Sequence, residues 1–192
     1  TYTVSPSDDG YDSSPFIFAD NISTGGLSAW STITLPFTVV PDEGYNPSNP
    51  VLRADGSRAA QLVKDLGSDH ASTYTQFYFK LGSNLDVPEG NTFYIAQMCN
   101  QKRRSAWFIM ARRMGSQYQM RVFQQYQPLG DWVSIQPGHW NRIKVHYQSY
   151  TNGVVRWWLN GELMAEFHGD TSSYAAGVFY AVRLQYLSPK AT

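Results

Sequence analysis

An all-β, single-domain antiparallel sandwich is the fold the sequence predicts, and three observations carry that prediction. Short runs alternate apolar and polar residues, most plainly Arg142-Ile143-Lys144-Val145-His146-Tyr147, and a period of two sends one row to a core and the other to the opposite face. Turn residues punctuate these runs about every 8–12 residues, the spacing of sandwiches and barrels. The 13 Tyr, 10 Phe and 6 Trp of this 192-residue chain favour pleated strands over helices. No stretch keeps a helical period, and no internal repeat is present.

In chain order, residues 1–15 are rich in Ser, Asp, Pro and Gly and read as a tail or linker, leaving 16–192 for the sandwich. Phe16-Ile17-Phe18-Ala19 reads as a first strand, Leu27 to Leu35 as a second stopped by Pro36, and Phe37-Thr38-Val39-Val40 as a third. Pro41 to Pro50 is too punctuated to be regular. Ala59 to Val63 and Thr73 to Leu81 are strands, the latter alternating Phe77 and Phe79 against Tyr74, Gln76, Tyr78 and Lys80. Pro88-Glu89-Gly90-Asn91 is a turn. Thr92 to Cys99 follows, with Phe93 and Ile95 expected inward and Tyr94, Ala96 and Met98 outward. Ala106 to Arg113 and Gln117 to Gln125 form a hairpin turning at Met114-Gly115-Ser116. A late meander comes next: Ile143, Val145 and Tyr147 inward; a turn at Thr151-Asn152-Gly153, where Asn-Gly is expected to supply positive φ; Val155, Trp157 and Leu159 inward; a turn at Asn160-Gly161; then Leu163, Ala165 and Phe167. Ala176 to Leu187 closes the sheet.

Composition narrows the function classes. With 15 basic and 15 acidic residues the net charge is zero, so no global field points to nucleic acid. No run of about 18 apolar residues offers a membrane span. No basic start followed by an apolar run marks a secretory leader. Cys99 stands alone and forms no disulfide within the chain; it reads as a small buried hydrophobe. Four scattered His and one Cys give no transition-metal spacing.

The segment from Asn91 to Gly130 is the most informative chemically. It holds Lys102, Arg103, Arg104, Arg112, Arg113 and Arg121 and not one Asp or Glu. A symmetric hairpin pairs Ile109 with Val122 and Ala111 with Met120 on a core face. The opposite face then carries Phe108, Met110 and Arg112 beside Gln119, Arg121 and Phe123. Rings stack on the apolar faces of pyranoses, amides bond hydroxyls, and a guanidinium takes an oxyanion in two parallel hydrogen bonds. Solvated Arg and loop-covered Phe on an ordinary strand face would show the same pattern.

Gly138-His139-Trp140-Asn141-Arg142-Ile143-Lys144-Val145-His146-Tyr147, followed by Val155-Arg156-Trp157-Trp158-Leu159-Asn160-Gly161-Glu162-Leu163, resembles the late strands of the concanavalin A-like lectin/glucanase superfamily. Phe18-Ala19-Asp20-Asn21-Ile22-Ser23-Thr24-Gly25-Gly26-Leu27-Ser28-Ala29-Trp30-Ser31 resembles the first strand and turn of its bacterial members. The superfamily includes laminin-G-like domains, polysaccharide-binding domains and jelly-roll polysaccharide lyases. The resemblance requires no cofactor. It allows a structural calcium near the first strand, with Asp20 and Asn21 as oxygen ligands, where an ordinary turn is the plainer reading.

Glycoside hydrolysis needs two carboxyls flanking the bond. Glu43, Glu89, Glu162 and Glu166 are the only Glu residues, and none sits in the Glu-x-Asp-x-Glu strand of the jelly-roll glucanases. The jelly-roll alginate lyases carry an Arg-x-Glu-Leu-Arg strand, a Gln-x-His strand and a late Tyr-Phe-Lys strand. The comparable stretches here are Thr73 to Lys80, Gln97-Met98-Cys99 and Phe179 to Gln185. Gln97 matches, Cys99 takes the His position, the early strand lacks Arg and the late one lacks Lys. If the chain is a lyase, Tyr78, Gln97, Arg112 and His146 are the catalytic candidates.

The favoured expectation is an extracellular or cell-surface, non-catalytic carbohydrate-binding module preferring acidic polysaccharides. Phe108, Arg112, Gln119, Arg121 and Phe123 carry the site, with Tyr78 and Gln97 as neighbours on the same sheet. A polyuronate lyase is the alternative, and a laminin-G-type protein-binding domain is a second. The sequence sets no oligomeric state.

Overall fold

The computed structural model describes residues 18, 27–34, 37–40, 51–54, 61–83, 85–181 and 186–187. Its strands are β1 (Thr32–Thr34), β2 (Phe37–Val40), β3 (Val51–Ala54), β4 (Gln61–His70), β5 (Ser72–Lys80), β6 (Thr92–Cys99), β7 (Ser105–Met114), β8 (Gln117–Gln124), β9 (Gln127–Ile135), β10 (Trp140–Gln148), β11 (Gly153–Leu159), β12 (Glu162–Gly169), β13 (Ala176–Ala181) and β14 (Tyr186–Leu187). Among the described residues there is no helix.

The strands build an all-β jelly-roll sandwich. The larger sheet runs β1-β4-β13-β6-β7-β8-β9, with β14 also on β6; the smaller runs β12-β11-β10-β5; β2 and β3 pair apart. Every pairing is antiparallel. Between the sheets lies one core that includes Phe77, Ile143, Val145 and Trp157 from the smaller and Phe93, Trp107, Ile109, Met120, Val122 and Phe179 from the larger. Burying a side chain of this size is worth about 1.5–3 kcal/mol. Trp157 also donates its indole N–H to the Leu129 carbonyl at 3.1 Å, tying β11 across the core to β9.

Several expectations change in the structure. The second strand shrinks to Thr32–Thr34 because residues 28–30 turn. The strand expected at Ala59 to Val63 runs on to His70, with Lys64, Asp65 and His70 paired to β13 and residues 66–69 in an irregularity of that pairing. In β6 a bulge between Tyr94 and Ala96 shifts the register, so Ala96 and Met98 join the core and Gln97 turns outward. A bulge between Trp157 and Trp158 leaves Leu163 exposed while Met164 and Ala165 pack inward. Asn152-Gly153 does not take the expected positive φ. Gly153 is required for another reason: a Cβ there would collide with Thr171 and the Gln148 carbonyl. Asn160 and Gly161, at φ 54° and 96°, do form the left-handed pair of a tight hairpin.

The tail at 1–15, the strand expected at 16–19 apart from Phe18, and Asp20 and Asn21 with their suggested calcium lie outside the described residues. Among the described residues no group of three or more His, Cys, Asp or Glu is placed to hold a metal ion.

Candidate functional site

The β7–β8 hairpin has the expected register, with Ile109 opposite Val122 and Ala111 opposite Met120. Those four are buried in the core. Strict alternation therefore sends Phe108, Met110 and Arg112 to the outer face of the larger sheet beside Phe123, Arg121 and Gln119, their cross-strand partners in that order. The β6 bulge adds Gln97 opposite Phe108 and Tyr94 opposite Met110. On the far side Tyr180 of β13 pairs with Gln97. The face thus spans five neighbouring strands, β13-β6-β7-β8-β9, a width of about 20 Å at the usual strand spacing.

Rings organise this face. Phe108 and Phe123 stack with centroids 5.0 Å apart, and Tyr94 meets Phe108 edge-on at 5.3 Å. Phe108 is only 4% exposed, so it is the floor of the stack. Trp132 of β9 meets Phe123 edge-on, and the Arg112 guanidinium lies 4.1 Å from the centre of the Trp132 ring. Arg112 donates through Nε and Nη2 to Gln119 Oε1 at 3.0 and 2.8 Å. Arg121 donates to the Gly130 carbonyl at 2.6 Å, not to the adjacent Asp131, and lies 5.8 Å from the Phe123 ring centre. Burial, and then the Arg121 charge, pull the Arg112 guanidinium below its ordinary value. An oxyanion arriving here would meet two cations whose hydrogen-bond partners among the described residues are neutral.

Arg113 of the same hairpin shows the contrast: it binds Asp86 at 2.6 Å and the Val87 carbonyl. Arg103, at positive φ in the loop before β7, reaches the Tyr180 hydroxyl and lies over that ring at 5.4 Å.

Of the residues singled out from the sequence, Phe108, Arg112, Gln119, Arg121, Phe123 and Gln97 meet on this face. Tyr78 does not. It belongs to β5, opposite Arg142 in the smaller sheet, because Thr73 to Lys80 pairs with β10 and not with β6. His146 also lies on the smaller sheet, stacked face to face on Tyr74 with centroids 4.0 Å apart. The four residues proposed for a lyase are therefore divided: Gln97 and Arg112 face outward from one sheet, Tyr78 and His146 from the other, with the core between. β13 lies between β4 and β6, and Thr73 to Lys80 belongs to the other sheet, so the three stretches compared with the lyase strands do not share one sheet. Cys99, at the His position, is buried against Val63 and Val178.

Sequence reasoning did not place Trp132, Tyr126, Tyr180 or Arg103 at the site. Tyr126 is 60% exposed and lies 5.7 Å from Phe108, extending the aromatic row. It sits in the β8–β9 turn, where Gln125 and Tyr126 both take positive φ without the Asn-Gly that announces such a turn. Gln125 is held there by its amide on the Thr171 carbonyl and its backbone N–H on the Ala106 carbonyl.

No protein-family model matches this chain, and no curated protein matches it. Among solved structures it is similar to an endo-β-1,4-glucuronan lyase from the fungus Trichoderma reesei, at 12% identity and TM-score 0.49, over 83% of this chain and 80% of that one. It is similar also to an alginate lyase, at 11% identity and TM-score 0.47, over 80% of this chain and 71% of that one. A homodimeric agglutinin from chicken liver aligns at 8% identity and TM-score 0.33, over 67% of this chain and 96% of that one. The likeness lies in architecture, and the site rests on its own geometry.

Proposed function

We propose that this domain binds acidic polysaccharides, without cleaving them, on the outer face of its larger sheet. One observation carries the reading: Arg112 and Arg121 stand on adjacent strands beside Trp132 and Phe123 and, among the described residues, bond only the neutral Gln119 amide and Gly130 carbonyl. A carboxylate on the sugar supplies the counter-charge the protein omits. The rings take the apolar faces of the pyranoses, and a face about 20 Å wide suits a run of residues in a polymer better than a single sugar. An extracellular or cell-surface setting would go with such a ligand.

The test is electrophoresis through native gels containing pectate, alginate or a neutral β-glucan. Retardation by the two polyuronates alone, weakening as salt shortens the screening length to about 10 Å at 0.1 M, is expected. Equal retardation by the neutral glucan, or none by any polymer, would contradict the reading.

A second reading, polyuronate β-elimination, is favoured by one feature. Tyr180 stands opposite Gln97 on this face with the Arg103 guanidinium on its hydroxyl. There the Tyr180 oxygen, once deprotonated, would take the C5 proton while cationic and amide donors hold the carboxylate; the C4–O bond would break as the C4–C5 double bond forms, and the tyrosine would return the proton to the leaving glycosidic oxygen. Incubation with alginate and pectate decides it: a near-ultraviolet absorbance from unsaturated ends that disappears in Tyr180→Phe supports cleavage, and no absorbance leaves a binding domain.

A further inference from the structure

The outer face of the smaller sheet holds a shallow cleft, lined by Gln76 of β5, Arg142 and Lys144 of β10, Trp158 of β11 and Gly161 of the β11–β12 turn. Among the described residues its walls offer an amide, a guanidinium, an ammonium and an indole, and no carboxylate. Local sequence explains the convergence. Arg142 and Lys144 are two apart on one strand and so share a face, while register sets Lys144 between Gln76 and Trp158. Lys144 is only 8% exposed, its ammonium 4.7 Å from the Trp158 ring and 5.7 Å from that of Tyr74.

Arg142 is the polar wall of the cleft. The Asn160 side chain accepts from its backbone N–H at 2.8 Å, and Asn160 N–H donates to its carbonyl at 2.8 Å, so the turn is pinned beside it. Its guanidinium makes no hydrogen bond or ion pair among the described residues. Gly161 keeps that group its space: a Cβ there would sit 3.1 Å from Arg142 Nη2. Glu166, on β12 of the same sheet, is engaged by Arg156 at 2.7 Å and by His168.

We propose that this cleft is a second binding site, separate from the larger sheet's face, that takes a single oxyanion of carboxylate or sulfate type. The fork of Arg142 accepts the two oxygens side by side, Lys144 supplies charge from beneath, and the Trp158 ring and Gln76 amide bound whatever carries the anion. With the larger face this cleft would let one domain hold two acidic chains on opposite sides of its core; that consequence alone rests on the function proposed above.

The experiment is a two-dimensional amide and indole NMR titration of the whole domain with sodium glucuronate, glucose and sodium sulfate in parallel. Saturable shifts of the Trp158 indole N–H and the Gly161 amide are expected with glucuronate and not with glucose. If sulfate moves the same resonances the oxyanion alone is recognised; if only glucuronate does, the sugar ring contributes as well, and both outcomes support the site. Arg142→Met should weaken the response about tenfold or more, the weight of a charge-assisted hydrogen-bond pair. Lys144→Met, which preserves bulk, should weaken it independently. In Arg112→Ala/Arg121→Ala protein the Trp158 and Gly161 shifts should persist, so failure of the larger face leaves this result intact. Absence of saturable shifts with both anions, or shifts unchanged in folded Arg142→Met and Lys144→Met, would overturn the proposal.

Discussion

On the larger sheet, Arg112 and Arg121 lie against aromatic rings and bond an amide and a carbonyl. On the smaller sheet, Arg156 is closed off by Glu166, which also holds His168. Both faces are basic and aromatic in composition. The difference lies in whether the fold supplies the counter-charge itself. An arginine with its own carboxylate has its electrostatic demand met inside the molecule, whereas one held by neutral acceptors is oriented but not neutralised. Partner identity, more than residue type, separates scaffold from candidate site.

The largest effect that sharpens this contrast concerns Phe108, which lies on the binding face yet is nearly as buried as a core residue. Phe108→Ala should cost about 3–5 kcal/mol of stability, read by denaturant unfolding, as expected for an emptied aromatic site. A loss well under 1 kcal/mol would mean that the ring is not the floor of the stack.

Next in size is the acid response of the smaller sheet. His146 is 3% exposed, and neither ring nitrogen has a hydrogen-bond partner among the described residues. Burial first, then the Arg156 and Lys144 charges, hold its pKa at about 4 against an ordinary 6.5, with Glu166 pulling the other way and Tyr74 stacked on the ring. The unfolded chain therefore binds the proton more readily than the folded one. The contribution to stability is complete above the ordinary value and is lost as pH falls toward about 4, by up to about 3 kcal/mol. Melting temperatures followed from neutral pH to about 4 should fall more steeply in the wild type than in His146→Phe. Parallel curves would contradict the buried neutral imidazole.

A smaller change tests the ring under Arg112. Trp132→Ala should weaken polyuronate binding by a few-fold to about tenfold, the range of a cation–π contact, without altering the melting curve by as much as Phe108→Ala. Smallest of all, Arg156→Ala should leave gel retardation by pectate unchanged and shift the melting temperature only slightly, because its charge is spent on Glu166 at an exposed site. Loss of retardation in that variant would break the contrast between the faces.

The hairpin of β7 and β8 was legible because strict alternation and a four-residue turn leave one register that buries Ile109, Ala111, Met120 and Val122 together. From that register followed the clustering of Phe108, Arg112, Gln119, Arg121 and Phe123. Strand order was not legible, since alternation says which face a residue takes but not which sheet. Tyr78 was therefore assigned beside Gln97 when its strand pairs with β10. Bulges were equally silent: one extra residue in β6 reversed Ala96 and Met98 and delivered Gln97 to the outer face. Trp132 escaped notice because Pro128 and Gly130 interrupt the alternation of β9, and a Gln125-Tyr126 turn carries none of the usual turn chemistry.

The most direct test of the larger face compares three folded proteins, wild type, Arg112→Ala/Arg121→Ala and Arg113→Ala, in native gels containing pectate at low salt. The proposed site predicts that the double variant migrates as in a polymer-free gel. Arg113→Ala, whose guanidinium is already held by Asp86, should be retarded like the wild type. Equal loss in both variants would mean that net positive charge, not a built face, attracts the polymer; full retardation of the double variant would place the binding surface elsewhere.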